Sequence, residues 1–278
     1  MNSTIAILTD FGSQDPFVGI MKGVIAAINP PVQLIDLNNQ IPPGDIQRAA
    51  FTLWQSRDYF SQGTIFLTVI DPGVGTHRRP VIVMADGYVF VGPDNGVFSF
   101  ILGDDWQAWQ LANADLMLSN PGNTFHGRDI FAPGAAHASR GIPGPEFGKA
   151  ILDLVMLAAP KLESLSPGIL RGEILHADHF GNLLTSLGKL VPAVNRKWKF
   201  TPWVGESQSQ ILNASNTSVK LPNGRELPWV NTFGEIPKNE CAVLVGSSGL
   251  IEIVANRQNA AEMLELSGGE CIVLESST

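Results

Sequence analysis

The sequence predicts an α/β protein in two parts: an N-terminal α/β domain with a mainly parallel sheet, then a smaller all-β, barrel-like C-terminal domain. Three observations carry this. As far as residue 160, short apolar runs alternate with segments whose apolar residues recur every three or four positions. After residue 168, short β-like runs follow one another between turn signals, and helical periodicity is nearly absent until Ala260 to Leu264. Between them, Pro160 to Gly168 is rich in Pro and Ser, and residues 161–168 read as a linker. The expected domains are therefore 1–160 and 169–278.

The elements follow in order. Thr4 to Leu8 reads as a buried strand, and Thr9-Asp10-Phe11-Gly12 as the turn leaving it. Asp15-Pro16 has the form of an N-cap followed by proline in the first helical turn. Val18, Met21, Val24, Ile25 and Ile28 then recur at helical spacing until Asn29-Pro30-Pro31 stops the helix. Val32 to Leu37 is the next strand, and Ile46, Ala49, Ala50, Leu53 and Trp54 mark a second helix. Thr64 to Ile70 is almost continuously apolar, as in a strand covered on both faces. Val81–Met84 and Tyr88–Val91 form a tight strand pair around Asp86-Gly87, with helices expected over 96–102 and 129–139. In the C-terminal part, strands are expected at 169–175, 183–186, 219–221, 241–245 and 251–254, with Pro222-Asn223-Gly224 the clearest turn.

Composition narrows the function classes. A 44% hydrophobic, 16% charged chain of 278 residues has enough apolar material for a packed core. Its net charge of −8 argues against a general nucleic-acid or anionic-membrane surface. No run approaches the roughly 18 apolar residues that span a bilayer. The first apolar run has no positive region before it and is broken by Asp10, so a cytoplasmic location is expected. Two distant cysteines, Cys241 and Cys271, read as reduced thiols.

Acidic and polar residues sit at the mouths of apolar runs, beside glycines, in four places: 10–15, 71–78, 126–129 and 178–182. A charged side chain at the end of a buried strand loses solvation unless something pairs with it. In Ile70-Asp71-Pro72-Gly73-Val74-Gly75-Thr76-His77-Arg78, a buried strand ends in an acid and a glycine-bearing loop returns to an arginine. This is either a ligand site beyond a strand end or a structural ion pair. Neither a Gly-x-Gly-x-x-Gly fingerprint nor a phosphate-binding Lys loop is present, which disfavours NAD enzymes and P-loop NTPases. Asp129 either caps a helix or belongs to a site with His126, which lies in a loop without apolar periodicity. His176, Asp178 and His179 alternate faces on a β segment and do not converge on a metal. Phe180-Gly181-Asn182 is either an aromatic plate beside an amide or a packed turn. Asp10 and Asp15 flank a strand-to-helix turn, where a carboxylate can accept from ribose hydroxyls or an ammonium.

Together these segments resemble the S-adenosyl-L-methionine hydroxide adenosyltransferases, which are related to fluorinating and chlorinating enzymes acting on the same substrate. The resemblance runs through Leu8-Thr9-Asp10-Phe11-Gly12 with Asp15, the Asp71–Thr76 loop, Phe125-His126-Gly127-Arg128-Asp129, Phe180-Gly181-Asn182 and Ser248-Gly249-Leu250-Ile251-Glu252-Ile253. It implies an α/β domain followed by a barrel-like domain, in a homotrimer whose active sites lie between subunits. It also implies hydrolysis of S-adenosyl-L-methionine to adenosine and L-methionine, with no metal and no cofactor. The hydroxide-transferring trio falls on Asp71, Arg78 and His126, expected to act as a positively charged pair oriented by an acid. The substrate-binding set falls on Asp10 (ribose), Asp15 (amino group), Asp178, Phe180, Asn182, Ser248 and Glu252, with Asn259 and Ala260 nearby. The alternatives are a halide adenosyltransferase and an S-adenosylmethionine or nucleoside sensor with vestigial activity.

Overall fold

A computed structural model describes residues 3–195, 197–205, 207–213 and 216–276. The chain forms two compact units, Met1–Leu157 and Ala158–Thr278.

The first unit contains β1 (Thr4–Thr9), α1 (Phe17–Ile28), β2 (Gln33–Asn38), α2 (Ile46–Ser56), β3 (Ile65–Val69), β4 (Pro80–Ala85), β5 (Tyr88–Pro93), β6 (Trp106–Gln110), α3 (Ala132–Ser139) and β7 (Ala150–Ile151). Its seven-stranded sheet has the order β2-β1-β3-β5-β4-β6-β7. Pairings from β2 through β5 are parallel, whereas β5–β4, β4–β6 and β6–β7 are antiparallel. The sheet is therefore mixed, not mainly parallel. The physical reason is the hairpin: Asp86 (φ 51°) and Gly87 (φ 79°) both take left-handed conformations, turning β4 directly back onto β5.

Side-chain alternation places Ile5 and Ile7 of β1 with Met21 and Ile25 of α1 and Ala135 of α3 on one face. Ala6 and Leu8 meet Ala49 and Leu53 of α2 on the other. Burial on both faces explains the unbroken apolar runs of β1 and β3. It also leaves the polar groups at their C-terminal ends to form the rim of the sheet.

Three local expectations change. Pro16, not Asp15, stands at the N-cap of α1, and no side chain caps that end. Residues 97–101 form successive turns instead of a helix. Asp129 does not cap a helix, because it lies inside a π-helical turn, Gly127–Phe131, that runs into α3.

The second unit contains β8 (Leu162–Ser166), β9 (Ile169–Ala177), β10 (Leu183–Thr185), β11 (Leu190–Pro192), β12 (Lys197–Phe200), β13 (Gln210–Asn213), β14 (Thr217–Lys220), β15 (Glu226–Pro228), β16 (Cys241–Val245), β17 (Ile251–Ala255), α4 (Ala260–Leu264) and β18 (Cys271–Ser276). Within the stretch expected as a linker, β8 is hydrogen-bonded to β9. The antiparallel sheet runs β15-β14-β18-β9-β10-β17-β16. Just beyond β15, Trp229 bridges Val243 of β16, and the Val230 N–H donates to the Val243 carbonyl at 2.9 Å. The two ends of the sheet thus meet, giving a near-barrel. A three-stranded sheet, β11-β12-β13, contributes Leu190, Phe200 and Leu212 to the same core.

Candidate active site

The segment leaving β3 folds into consecutive tight turns. The Val74 N–H donates to the Asp71 carbonyl, and the Thr76 N–H to the Gly73 carbonyl at 3.1 Å. Gly75 adopts φ +76°, and a Cβ there would stand 2.5 Å from the Asn123 carbonyl oxygen. Only glycine combines that backbone with that approach. The consequence is close packing of two loops, one carrying Arg78 and the other leading to His126.

Arg78 donates from Nε to Asp71 Oδ1 at 2.8 Å and from Nη2 to Asp71 Oδ2, a two-pronged ion pair. These side chains are only 9% and 5% exposed, so the pair is shielded from solvent and salt. The Cζ of Arg78 lies 4.9 Å from the Phe131 ring centroid, fixing the guanidinium plane from below. Nη2 also reaches His126 Nδ1 at 2.8 Å. Arg78 Nη1 is buried and has no hydrogen-bond partner among the described residues.

The histidine's protonation follows. A guanidinium only donates, so Nδ1 must present its lone pair and Nε2 carries the proton. Burial, and next the charge of Arg78, hold the imidazole below its ordinary value, against the opposing pull of Asp71 and Asp129. His126 is therefore a neutral Nε2–H donor at pH 7, and the expected pair of two cations is one cation beside one neutral donor.

Asp10 stands at the C-terminal end of β1. Its Oδ2 accepts from the Gly44 N–H at 2.8 Å, and Gly44 in turn lies against Pro72 of the arginine loop. Phe11 closes the other side, with its ring near Gly127, next to His126. Asp10, Asp71, Arg78 and His126 thus share one rim. Asp15 is exposed in the turn before α1.

The second unit carries the remaining residues. Asp178 Oδ1 accepts from the backbone N–H groups of Phe180 and Asn182, and Oδ2 from Asn182 Nδ2. Its carboxylate is spent on holding its own loop, which leaves Phe180 projecting with 75% exposure. Gly181 (φ +83°) packs against Asn259, whose side chain caps α4 by accepting from the Glu262 N–H. Phe180, Asn182 and Asn259 line a cleft of about 740 Å³ with Phe233, Gly234, Asn256, Arg257 and Gln258.

Ser248 lies in the β16–β17 turn with its hydroxyl buried and without a partner among the described residues. Glu252, on β17, packs its carboxyl against Gly246, where a side chain would overlap it. Burial, and next the charge of Asp178, push the Glu252 carboxyl above its ordinary value. Phe233 and Arg257 escaped the sequence reading. Phe233-Gly234 repeats the aromatic–glycine pair of Phe180-Gly181, which was the available signal.

Among the described residues no His, Cys, Asp and Glu are grouped as metal ligands, and no helix is long and apolar enough to cross a membrane.

The first unit thus bears a buried guanidinium donor without a partner among the described residues, and the second bears an aromatic cleft. Comparison with known proteins makes this specific. The SAM hydroxide adenosyltransferase N-terminal domain matches residues 5–148, and the C-terminal domain of the same family matches residues 172–273. The chain belongs to the SAM hydroxide adenosyltransferase family.

It is 35% identical over 274 residues to the (R)-S-adenosyl-L-methionine hydrolase of Thermus thermophilus, covering 95% of this chain and 96% of the relative. It is 34% identical to the protein of the same name from Salinispora tropica, covering 96% and 95%. The crystal structure of an uncharacterized conserved protein from Thermotoga maritima superposes with a TM-score of 0.82 at 28% identity, covering 97% of this chain and 99% of that one.

Proposed function

We propose that this protein hydrolyses S-adenosyl-L-methionine to adenosine and L-methionine, with Asp71, Arg78 and His126 delivering a solvent-derived hydroxide to ribose C5′. Kinship with named hydrolases along nearly the whole chain supports the reaction. The observation that carries the mechanism is Arg78 Nη1, a buried cationic donor with no acceptor among the described residues, on a guanidinium that also bonds His126 Nδ1. Leaving such a donor unpaired costs about 1–3 kcal/mol or more, and an entering anion removes that cost.

The chemistry balances simply. Hydroxide forms the O–C5′ bond, the C5′–S bond breaks, and its electron pair neutralises the sulfonium. Methionine leaves as a neutral thioether and needs no general acid. His126 Nδ1 is occupied by Arg78, so the imidazole does not take the proton of the water. That proton goes to solvent, and the site stabilises the anion left behind. Asp71 holds the arginine's fork in place.

Asp10 accepts from the ribose hydroxyls, and Phe180, Phe233 and Asn182 hold the adenine. Ser248, Asp15 and Glu252 meet the methionine end, with Asp178 setting the loop that carries Phe180 and Asn182. The organisation is the 1–160 and 169–278 domain pair, assembled as a homotrimer whose sites are completed between subunits, as the family resemblance implies. A cytoplasmic location is part of the same reading, supported by the unpaired Cys241 and Cys271.

The test is product analysis by mass spectrometry with S-adenosyl-L-methionine and excess chloride. Adenosine and methionine are expected. 5′-Chloro-5′-deoxyadenosine as the main product overturns hydrolysis in favour of halide transfer, and intact bound substrate after long incubation favours a sensor.

A further inference from the structure

We propose that Asn39 is a positioning residue that fixes Asp10, and through it the protein's recognition of the substrate's ribose. This rests on the reading above that Asp10 takes the ribose hydroxyls.

Asp10 lies in a four-residue turn, Thr9 to Gly12, at the exit of β1. Asn39 bonds to that turn on both sides of the acid. Its Oδ1 accepts from the Thr9 hydroxyl at 3.0 Å, and its backbone carbonyl accepts from the Gly12 N–H at 2.7 Å. The Thr9 oxygen in turn accepts from the Phe11 N–H at 3.3 Å, so one asparagine reaches three of the four residues of the turn. Gly12 sits at φ +70°, and its bond to Asn39 secures that turned conformation.

Asn39 is itself anchored. Its Nδ2 donates to Asp36 Oδ1 at 2.9 Å, and Lys22 of α1 donates to Asp36 Oδ2 at 2.6 Å. Burial pushes the Asp36 carboxyl up, but the bonds from Lys22 and Asn39 more than offset it and leave the group below its ordinary value. The chain Lys22–Asp36–Asn39–Thr9 therefore ties α1, β2 and β1 together directly behind Asp10.

A carboxylate that grips two adjacent hydroxyls must be held in direction as well as place. Gly44 occupies only Oδ2 of Asp10, and rotation of the turn would swing Oδ1 off the diol. Thr9 is fully buried, so the hydroxyl that Asn39 holds has no water to replace the lost partner. The bonds of Asn39 go to Thr9, Gly12 and Asp36, not to Asp10 itself, so its effect passes through the turn that carries the acid.

The experiment compares kcat/KM for S-adenosyl-L-methionine and its 2′-deoxyribose analogue in wild type, Asp10→Ala, Asn39→Ala and Thr9→Val. Wild type should prefer the ribose substrate, and Asp10→Ala should lose that preference. Asn39→Ala should reduce it about tenfold, the equivalent of one hydrogen bond to a charged group. Thr9→Val, which keeps the buried shape, should reduce it in the same direction and provides the answer if Asn39→Ala fails to fold. If both variants lose activity equally on the two substrates while Asp10→Ala abolishes the preference, Asn39 is merely structural and the proposal is wrong. If Asp10→Ala keeps the full preference, the ribose assignment itself fails and takes this proposal with it.

Discussion

Arg78 Nη2 lies 2.8 Å from His126 Nδ1, and this contact fixes which nitrogen of the imidazole carries its proton. The guanidinium has no lone pair to offer, so the ring faces it with one and turns its N–H away. Arginine Nη1 is left without a partner among the described residues, while the imidazole also bonds the Gly122 backbone. In the function proposed above, that unpartnered nitrogen is the donor that receives the anion.

A pH dependence follows from that geometry. His126 lies below its ordinary value of 6.5, so the neutral ring persists from pH 7 down through 6.5. Protonating Nδ1 at lower pH removes the bond to Arg78 and sets two cations against each other. Measured kcat/KM should fall as pH drops through the lowered value, and His126→Ala should be slower and lack that limb. Folding stability has the same sign: the histidine's contribution is complete above 6.5 and is lost as pH falls through the folded-state value. A wild-type acid limb centred above 6.5 would contradict this.

Arg78→Lys keeps the charge and loses the planar fork. A lysine cannot bond both Asp71 oxygens and His126 while leaving a donor aimed at the ligand. A fall in kcat of about 10²–10³ is expected, with KM nearly unchanged, because the contact is made to the reacting oxygen. A loss confined to KM in steady-state kinetics would place the arginine in ground-state binding instead.

Asp71→Asn should cost stability as well as rate. The pair is nearly excluded from solvent, and removing one charge leaves a buried guanidinium uncompensated, worth about 3 kcal/mol. Urea unfolding of the variant should show a lower midpoint with an unchanged slope. A midpoint equal to that of wild type would mean the pair is solvated.

Gly75→Ala tests how the trio is assembled. The added carbon meets the Asn123 carbonyl at 2.5 Å on a backbone that alanine adopts poorly. The loops of Arg78 and His126 should separate, lowering both the melting temperature and kcat. Retention of full activity would show that the loops close without this contact.

How far the chain announces all this depends on the residue. The doubly covered strands β1 and β3 were legible because a short apolar run without alternation suits a strand buried on both faces and neither an amphipathic helix nor a half-exposed strand. The mixed sheet was half legible, since the Asp86-Gly87 hairpin was visible while its insertion into the sheet order was not. β6, with the sequence Trp-Gln-Ala-Trp-Gln, and β12, Lys-Trp-Lys-Phe, went unread because each is short and mixes tryptophan with Gln or Lys. Asp15-Pro16 looked like a cap, but proline itself occupies that position. The Asp71–Arg78 pairing could be read from a loop that returns on itself. The bond from Arg78 to His126 could not, because it depends on two loops meeting at Gly75, 48 residues of chain apart at the bonded pair. Arg257 reaches its cleft through a left-handed backbone (φ 58°) that its residue type does not advertise.

Glu252 gives an independent prediction. A carboxyl raised above its ordinary 4.5 supports folding fully below that pH and loses its contribution as pH rises through the raised value. Glu252→Gln should therefore melt higher than wild type at pH 7, with the difference closing toward pH 4. The same variant should bind S-adenosyl-L-methionine about tenfold more weakly, through one lost charge-assisted bond. Equal melting at pH 7 would show that the carboxylate has a partner in solution.

The origin of the oxygen that reaches C5′ decides the central claim. Wild-type protein turned over in heavy-oxygen water should yield adenosine carrying the label at its 5′ oxygen, at a rate that falls at least a hundredfold in Arg78→Ala. Unlabelled adenosine, or labelled adenosine formed equally fast without the guanidinium, would contradict it.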